Sequence, residues 1–194
     1  MPRSSADLAS RLLDSALVLF SERTYEGTQM PAVAHHAGAG VGSIYRYFPG
    51  KEALGNAAFQ YAKGGLLAEL TAATAEPAAS VREEFAQIWG GFTRFAGAEP
   101  YAFAFLEYQQ HDTFLDARSR VLAAETDAFA AGFIERGQRA GEIRDGDPPV
   151  LVALALGAFG GLLKSIRPQL VTDLSPEALA GAESAVWDLL HQRP

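Results

Sequence analysis

Thr28-Gln29-Met30-Pro31-Ala32-Val33-Ala34-His35-His36-Ala37-Gly38-Ala39-Gly40-Val41-Gly42-Ser43-Ile44-Tyr45-Arg46-Tyr47-Phe48 is the stretch on which the fold turns. A helix tolerates Pro31 only in its first turn, so a short helix starts near Thr28, a residue suited to capping, and stops at Gly38. A further short helix runs from Val41 to Phe48, where Pro49-Gly50 breaks the chain. Ala37-Gly38-Ala39-Gly40 joins the two, and two short helices joined by a glycine-containing turn of this length read as a helix-turn-helix. Small Ala34 and Ala37 let the helices cross closely, while Val33, Ile44 and Phe48 turn inward. Val41, Gly42, Ser43, Tyr45, Arg46 and Tyr47 are left near the exposed end and flank of the second helix. An exposed helix of this size fits the major groove of double-stranded DNA.

Working outward, the preceding segment is a helix from about Ala6 to Glu22 with an apolar stripe of Leu8, Leu12, Leu13, Ala16, Leu17, Leu19 and Phe20. The following segment is a helix from Lys51 to about Thr74. Beyond Glu76-Pro77, Ser80-Val81-Arg82-Glu83 is a capping box opening a helix to about Gly97. Pro100 opens a short aromatic helix to about His111. Thr113 to Ala140 reads as a long amphipathic helix stopped by Gly141. Asp147-Pro148 starts an apolar helix to about Ile166, and Ser175-Pro176-Glu177 opens a last helix to about His191. The expectation is an all-α chain of nine helices. A three-helix DNA-binding head (residues 1–50) precedes a helical ligand-binding and dimerisation body (residues 51–194).

Composition is compatible with that layout. The chain has 194 residues, 48% of them hydrophobic, no cysteine and a formal charge of −7. Without cysteine there is no disulfide, thiolate metal site or cysteine nucleophile. The charge is unevenly placed. Residues 1–51 carry Arg3, Arg11, Arg23, Arg46 and Lys51 against Asp7, Asp14, Glu22 and Glu26, a balance of +1, and the remainder stands at −8. Phosphates repel the body and tolerate the head. The apolar run Pro148 to Leu163 is shorter than the roughly 20 residues a membrane span needs, and it opens on two prolines. The first residues lack the pattern of a secretory leader. A cytoplasmic protein with no membrane partner is expected.

The segment from about Ser10 to Leu54 resembles the TetR family of transcriptional repressors. The resemblance rests on Leu12-Leu13-Asp14-Ser15-Ala16-Leu17-Val18-Leu19-Phe20, the Ala34…Ala37-Gly38 turn, Ser43-Ile44-Tyr45-Arg46-Tyr47-Phe48 and Lys51-Glu52-Ala53-Leu54. It implies that Tyr45 and Lys51 bind phosphate oxygens, with Tyr47 on phosphate or sugar. Val41, Gly42 and Ser43 come closest to base edges, and Thr28 and Gln29 touch the DNA backbone. Arg46 suits either a guanine edge or a phosphate. Both tyrosines also read as core aromatics. Three positions depart from the family pattern: Thr24 replaces a common glycine, and Ala39-Gly40 replace a valine and a capping hydroxyl residue. The tip of the recognition helix is therefore small, and readout through DNA shape gains weight over base contacts.

The resemblance fades after Leu54, and the body is read from its own residues. Phe85, Trp89, Phe92, Tyr101, Phe105, Tyr108, Phe129 and Phe133 suit an apolar, aromatic-lined cavity for a small-molecule effector, though such stripes also read as plain core. Glu107 and His111 share a helix face but are too few for a metal site, and no cofactor is expected. Gly157 and Gly161 put small residues on one face of the apolar helix. With Val186, Trp187 and Leu190 of the last helix they predict a two-helix homodimer surface. The expected function is a DNA-binding regulator: a repressor that holds a pseudo-palindromic operator as a homodimer until a largely apolar ligand releases it. An effector-independent or activating regulator is the alternative. An all-helical enzyme comes third, opposed by the lack of a phosphate loop, metal cluster or cysteine.

Overall fold

The computed structural model describes residues 5–108, 111–165 and 175–192. Within them the chain forms nine α-helices: α1 Ser5–Arg23, α2 Met30–His36, α3 Val41–Ile44, α4 Lys51–Ala73, α5 Val81–Ala98, α6 Pro100–Tyr108, α7 Ala117–Arg139, α8 Pro148–Ser165 and α9 Pro176–Leu190. The expected end of α8 at Ile166 lies outside the described residues. No described helix is long and apolar enough to cross a membrane.

Local chemistry accounts for most helix ends. The Ser80 hydroxyl accepts from Glu83 N at 3.1 Å, and the Glu83 carboxylate reaches back to Ala79 N at 2.6 Å, a variant of the expected capping box. Ser175 accepts from Ala178 N at 3.2 Å, with Pro176 first in α9. The start of α7 differs from the expected Thr113. Asp116 caps it instead, its carboxylate accepting from Ser119 N at 2.7 Å. Residues 113–116 are drawn into a turn before the helix begins. The first cap also moves: α2 is preceded by Gln29, in extended backbone, not by Thr28.

Packing divides the chain into two compact units. One joins the residues up to Gly65 with Tyr101–Leu122, and the other joins Leu66–Pro100 with the chain from Ala123 onward. In this grouping α6 and the start of α7 go with α1 and the first part of α4, whereas the sequence reading places the boundary at residue 50. In the first unit Leu12, Ala16, Leu19 and Phe20 of α1 are buried with Val33, Ala34 and Ile44. Phe20 stacks on Phe105 at 5.6 Å between centroids, and Tyr25 stacks on Phe114 at 4.1 Å. In the second unit Phe85 contacts Trp89, Phe133 and Trp187, while Trp89 meets the edge of Phe159 at 4.8 Å. Gly91 lets α5 approach the last turns of α4: a Cβ there would lie 3.2 Å from Leu70 and Ala73 side chains.

Candidate nucleic-acid interface and ligand cavity

The turn of the helix-turn-helix is built on Gly38, whose φ of 65° is a left-handed conformation that glycine adopts without penalty. Ala39 N bonds to Ala34 O at 2.8 Å and Gly38 N to His35 O at 3.0 Å. This pair of bonds is the Schellman arrangement that stops a helix and turns the chain. Regular α-helix ends at Ile44, short of the expected Phe48. Tight bonds then continue, with Arg46 N to Ser43 O and Tyr47 N to Ile44 O, so residues 45–47 extend the helix as a narrower coil.

This local geometry sets which side chains face outward. Val41 and Tyr45 are 46% and 49% exposed, and Gly42, Arg46 and Gln29 are exposed too. Ser43, Tyr47 and Lys51 are half-buried. The exposure of Tyr45 disposes of its reading as a core aromatic. Thr28 is a correction. It is buried, and its hydroxyl donates to Leu19 O at 3.1 Å and Thr24 O at 2.8 Å. It closes the end of α1 and leaves no hydroxyl for a DNA backbone.

Lys51 opens α4. Its ammonium donates to Glu26 O at 3.1 Å and lies 4.5 Å from the Tyr25 ring centre. An ammonium carries three donors, so two remain for an outside acceptor at the positive end of the helix. Burial, with Glu52 and Glu26 close by, raises the Tyr25 phenol above its usual pKa, so the ring faces Lys51 as a neutral group.

Sequence reasoning missed the group that orders the far side of this unit. Asn56 is buried on α4. Its amide donates to Phe114 O at 2.8 Å and Glu52 O at 2.9 Å, and its carbonyl accepts from Asp116 N at 2.8 Å and the Ser119 hydroxyl at 2.6 Å. Gln60 donates to the same hydroxyl at 3.1 Å. One side chain thus pins the α6–α7 corner to α4. The available signal was a lone amide in the apolar run Ala53-Leu54-Gly55-Asn56-Ala57-Ala58-Phe59, since a buried polar group needs partners. Gly55 beside it is equally constrained: a Cβ there would lie 2.7 Å from Tyr25 and 3.0 Å from Phe114.

In the second unit a cavity of about 70 Å³ lies among α4, α5, α7, α8 and α9. Of the eight aromatic residues expected to line it, Phe85, Trp89, Phe92, Phe129 and Phe133 do. Tyr101 and Phe105 do not. Both belong to the first unit, where Phe105 is fully buried on Phe20 and Tyr101 is 38% exposed. Helical spacing marked α6 as apolar without saying which core it joins. The side chain of Tyr108 lies outside the described residues. Gln87, Glu107 and His111, which lie among these aromatics in the sequence, are absent from the lining, and Gln109 lies outside the described residues. Among the described residues no cluster of His, Cys, Asp or Glu could hold a metal.

The last helix needs a further correction. Val186, Trp187 and Leu190, expected on a dimer surface, are buried in their own unit, and Val186 and Leu190 line the cavity. The exposed face of α9 is instead Gly181, Ser184, Ala185 and Asp188. On α8, Gly157 and Gly161 are exposed with open space beyond them, in line with Val150 (53% exposed), Leu154 (50%) and Ala158.

Comparison with known proteins fits both parts. Residues 12–58 match the bacterial regulatory proteins of the tetR family, and residues 67–192 match the Tetracyclin repressor-like C-terminal domain. The chain belongs to the tetR family of bacterial regulatory proteins and is a transcriptional regulator with a DNA-binding helix-turn-helix. Over 41 residues, 21% of this chain, it is 54% identical to the HTH-type transcriptional repressor KstR of Rhodococcus jostii. That match spans only 19% of the relative. The fold is that of a TetR family regulator from Marinobacter aquaeolei (TM-score 0.80, 18% identity, all of both chains). It is also that of a tetR family regulator from a Shewanella species (TM-score 0.76, 20% identity, 98% of this chain and 100% of the other).

Proposed function

We propose that this regulator is a repressor that holds a pseudo-palindromic operator as a homodimer and lets go when a small apolar molecule enters the cavity. The observation that carries ligand control is the cavity itself, an unfilled space with an apolar lining inside the second unit. It favours this reading over an effector-independent regulator, whose body has no need of a void. Tyr45, Tyr47, Lys51 and Gln29 supply phosphate contacts. Val41, Gly42 and Ser43 approach base edges, and Arg46 is placed to read a guanine or clamp a phosphate.

The homodimer reading rests on the exposed apolar face of α8, where Val150, Leu154, Gly157, Ala158 and Gly161 repeat at helical spacing beside Gly181 and Ala185 of the adjoining α9. Small residues permit close helix approach, and a two-fold pairing presents two heads to half-sites one DNA turn or a multiple apart. α4 links the two events, because it begins at Lys51 and carries Leu70, a cavity-lining residue, near its end. A ligand changes DNA affinity only if it prefers one of the two states. The protein acts in the cytoplasm, where its operator is.

The test is fluorescence anisotropy of labelled DNA from the region upstream of the protein's own gene, titrated with the protein and then with apolar small molecules. Saturable, sequence-dependent binding reversed by a ligand is expected. Equal binding to scrambled DNA would overturn the operator reading, and activation of a reporter would overturn repression.

A further inference from the structure

The lining of the cavity is chemically almost uniform. Among the described residues it is apolar apart from the indole N–H of Trp89, with Phe85, Trp89, Phe92, Phe129, Phe133 and Phe159 forming an aromatic wall and aliphatic side chains completing it. The described side-chain atoms that are buried without a partner, Arg11 Nε, Gln87 Oε1 and Arg144 Nε, all belong to residues outside the lining. Three arginines on the helices that build the wall are paired with carboxylates rather than turned to the cavity. Arg94 pairs with Glu69 at 2.6 Å, Arg82 with Glu183 at 2.5 Å, and Arg136 with Glu84. A carboxylate, phosphate or hydroxyl carried into this space would lose its water and meet, among the described lining residues, no polar group other than the Trp89 indole N–H.

We infer that the portion of the ligand held in the cavity is bare hydrocarbon, a ring or short alkyl group, and that the site rejects oxygenated derivatives of the same skeleton. This rests on the reading of the cavity as the ligand site. The consequence is a sensor that responds to a hydrocarbon and falls silent when an oxygenation reaction converts it to an alcohol, phenol or acid. Size adds a second property. A cavity of about 70 Å³ is under half of the roughly 150 Å³ that lodges a benzene ring in an engineered apolar cavity. A ring-sized ligand therefore has to widen the wall, which gives its binding a structural effect on the helices.

The probes are toluene, phenol and benzoate. Toluene and phenol share a ring and differ by methyl against hydroxyl, so the cost of widening cancels between them. Binding to the full-length protein without DNA is read by calorimetry and by tryptophan fluorescence, to which Trp89 in the lining and Trp187 against Phe85 both contribute. Toluene is expected to bind at least tenfold more tightly than phenol, with benzoate weaker still. Ala155→Leu, which fills the space, is expected to abolish toluene binding. Val152→Thr, which adds a hydroxyl to the wall, is expected to narrow the toluene-to-phenol ratio severalfold and serves as the second variant if the first fails to fold. Phenol or benzoate binding as tightly as toluene, or no toluene binding, or binding that survives Ala155→Leu, would each overturn the inference. Because DNA is absent from these measurements, toluene that binds as expected yet leaves operator affinity unchanged would overturn the release mechanism and leave this inference standing.

Discussion

Thr24 is the only described residue other than glycine with a positive φ, 67°. A β-branched residue in this left-handed region crowds its own backbone, at a cost of about 1–2 kcal/mol. The position ends α1 and is one where the resemblance to the family leads one to expect glycine. Its carbonyl accepts from Thr28 and its hydroxyl from Gly27 N at 3.2 Å, so the turn holds the residue in place from both sides. Thr24→Gly loses one exposed hydrogen bond and relieves the strain. A net stabilisation of about 1 kcal/mol is expected in urea unfolding, with the fold unchanged.

His111 is a half-buried histidine whose burial couples stability to pH. Its ring lies against Phe105, Phe59 and Phe114, and Nε2 donates to Phe105 O at 3.0 Å. Burial lowers its pKa below 6.5. The bond to Phe105 O opposes that shift, as do Asp112 and Glu26, while Lys63 reinforces it. The unfolded chain therefore takes up the proton before the folded one. Stability from this group is whole above about pH 6.5 and declines as pH falls below it. The melting temperature should drop on going from pH 7.5 to 5.5, and by less in His111→Gln; an equal drop in both would remove His111 as the cause. At the DNA surface, Tyr45→Phe should weaken binding to every operator variant by about fivefold, the worth of roughly one hydrogen bond. Arg46→Ala should cost about 1–3 kcal/mol on the preferred sequence and less on others if it reads a base, and the same amount on all if it holds phosphate.

At the scale of elements, the first unit depends on how closely α4 meets the turns around Tyr25 and Phe114. Gly55 makes that approach possible and Asn56 fastens it. An alanine at position 55 would improve the intrinsic helix propensity of α4 by about 1 kcal/mol, but its methyl would collide with two stacked rings. Steric conflict wins, because the rings are held against each other at 4.1 Å and have no free side to move into. Gly55→Ala should therefore destabilise the protein by about 1–2 kcal/mol net in thermal or urea unfolding. A gain in stability would show that the rings yield.

At the scale of the whole molecule, the proposed homodimer rests on the exposed face of α8. Leu154 is 50% exposed in the single chain, with Val150 one turn before it and small Gly157, Ala158 and Gly161 after it on that face. Leu154→Glu leaves the cavity lining untouched and places a charge where a two-fold partner would bury it against its own copy. The variant should sediment as a monomer with an unchanged helical spectrum, and its operator affinity should fall by at least tenfold as the second head is lost. A variant that remains dimeric would move the interface elsewhere.

The helix-turn-helix, the nine described helices and the Ser80 and Ser175 caps were legible in the amino-acid sequence because their signals are local: turn glycines, prolines in first turns, capping hydroxyls and 3.6-residue periodicity within one segment. Even the strained residue at the end of α1 was marked by its departure from glycine. Tertiary structure alone decided where each apolar face goes. Phe105 joined the first unit and Phe85 the cavity, though both sit on similar aromatic helices. Val186, Trp187 and Leu190 turned inward while Gly181 and Ala185 faced out, and Thr28 gave its hydroxyl to α1. Periodicity states that a helix has a face to bury. It carries no information about which neighbour covers that face, because the choice depends on contacts between residues far apart in the chain, such as Asn56 with Phe114 and Ser119.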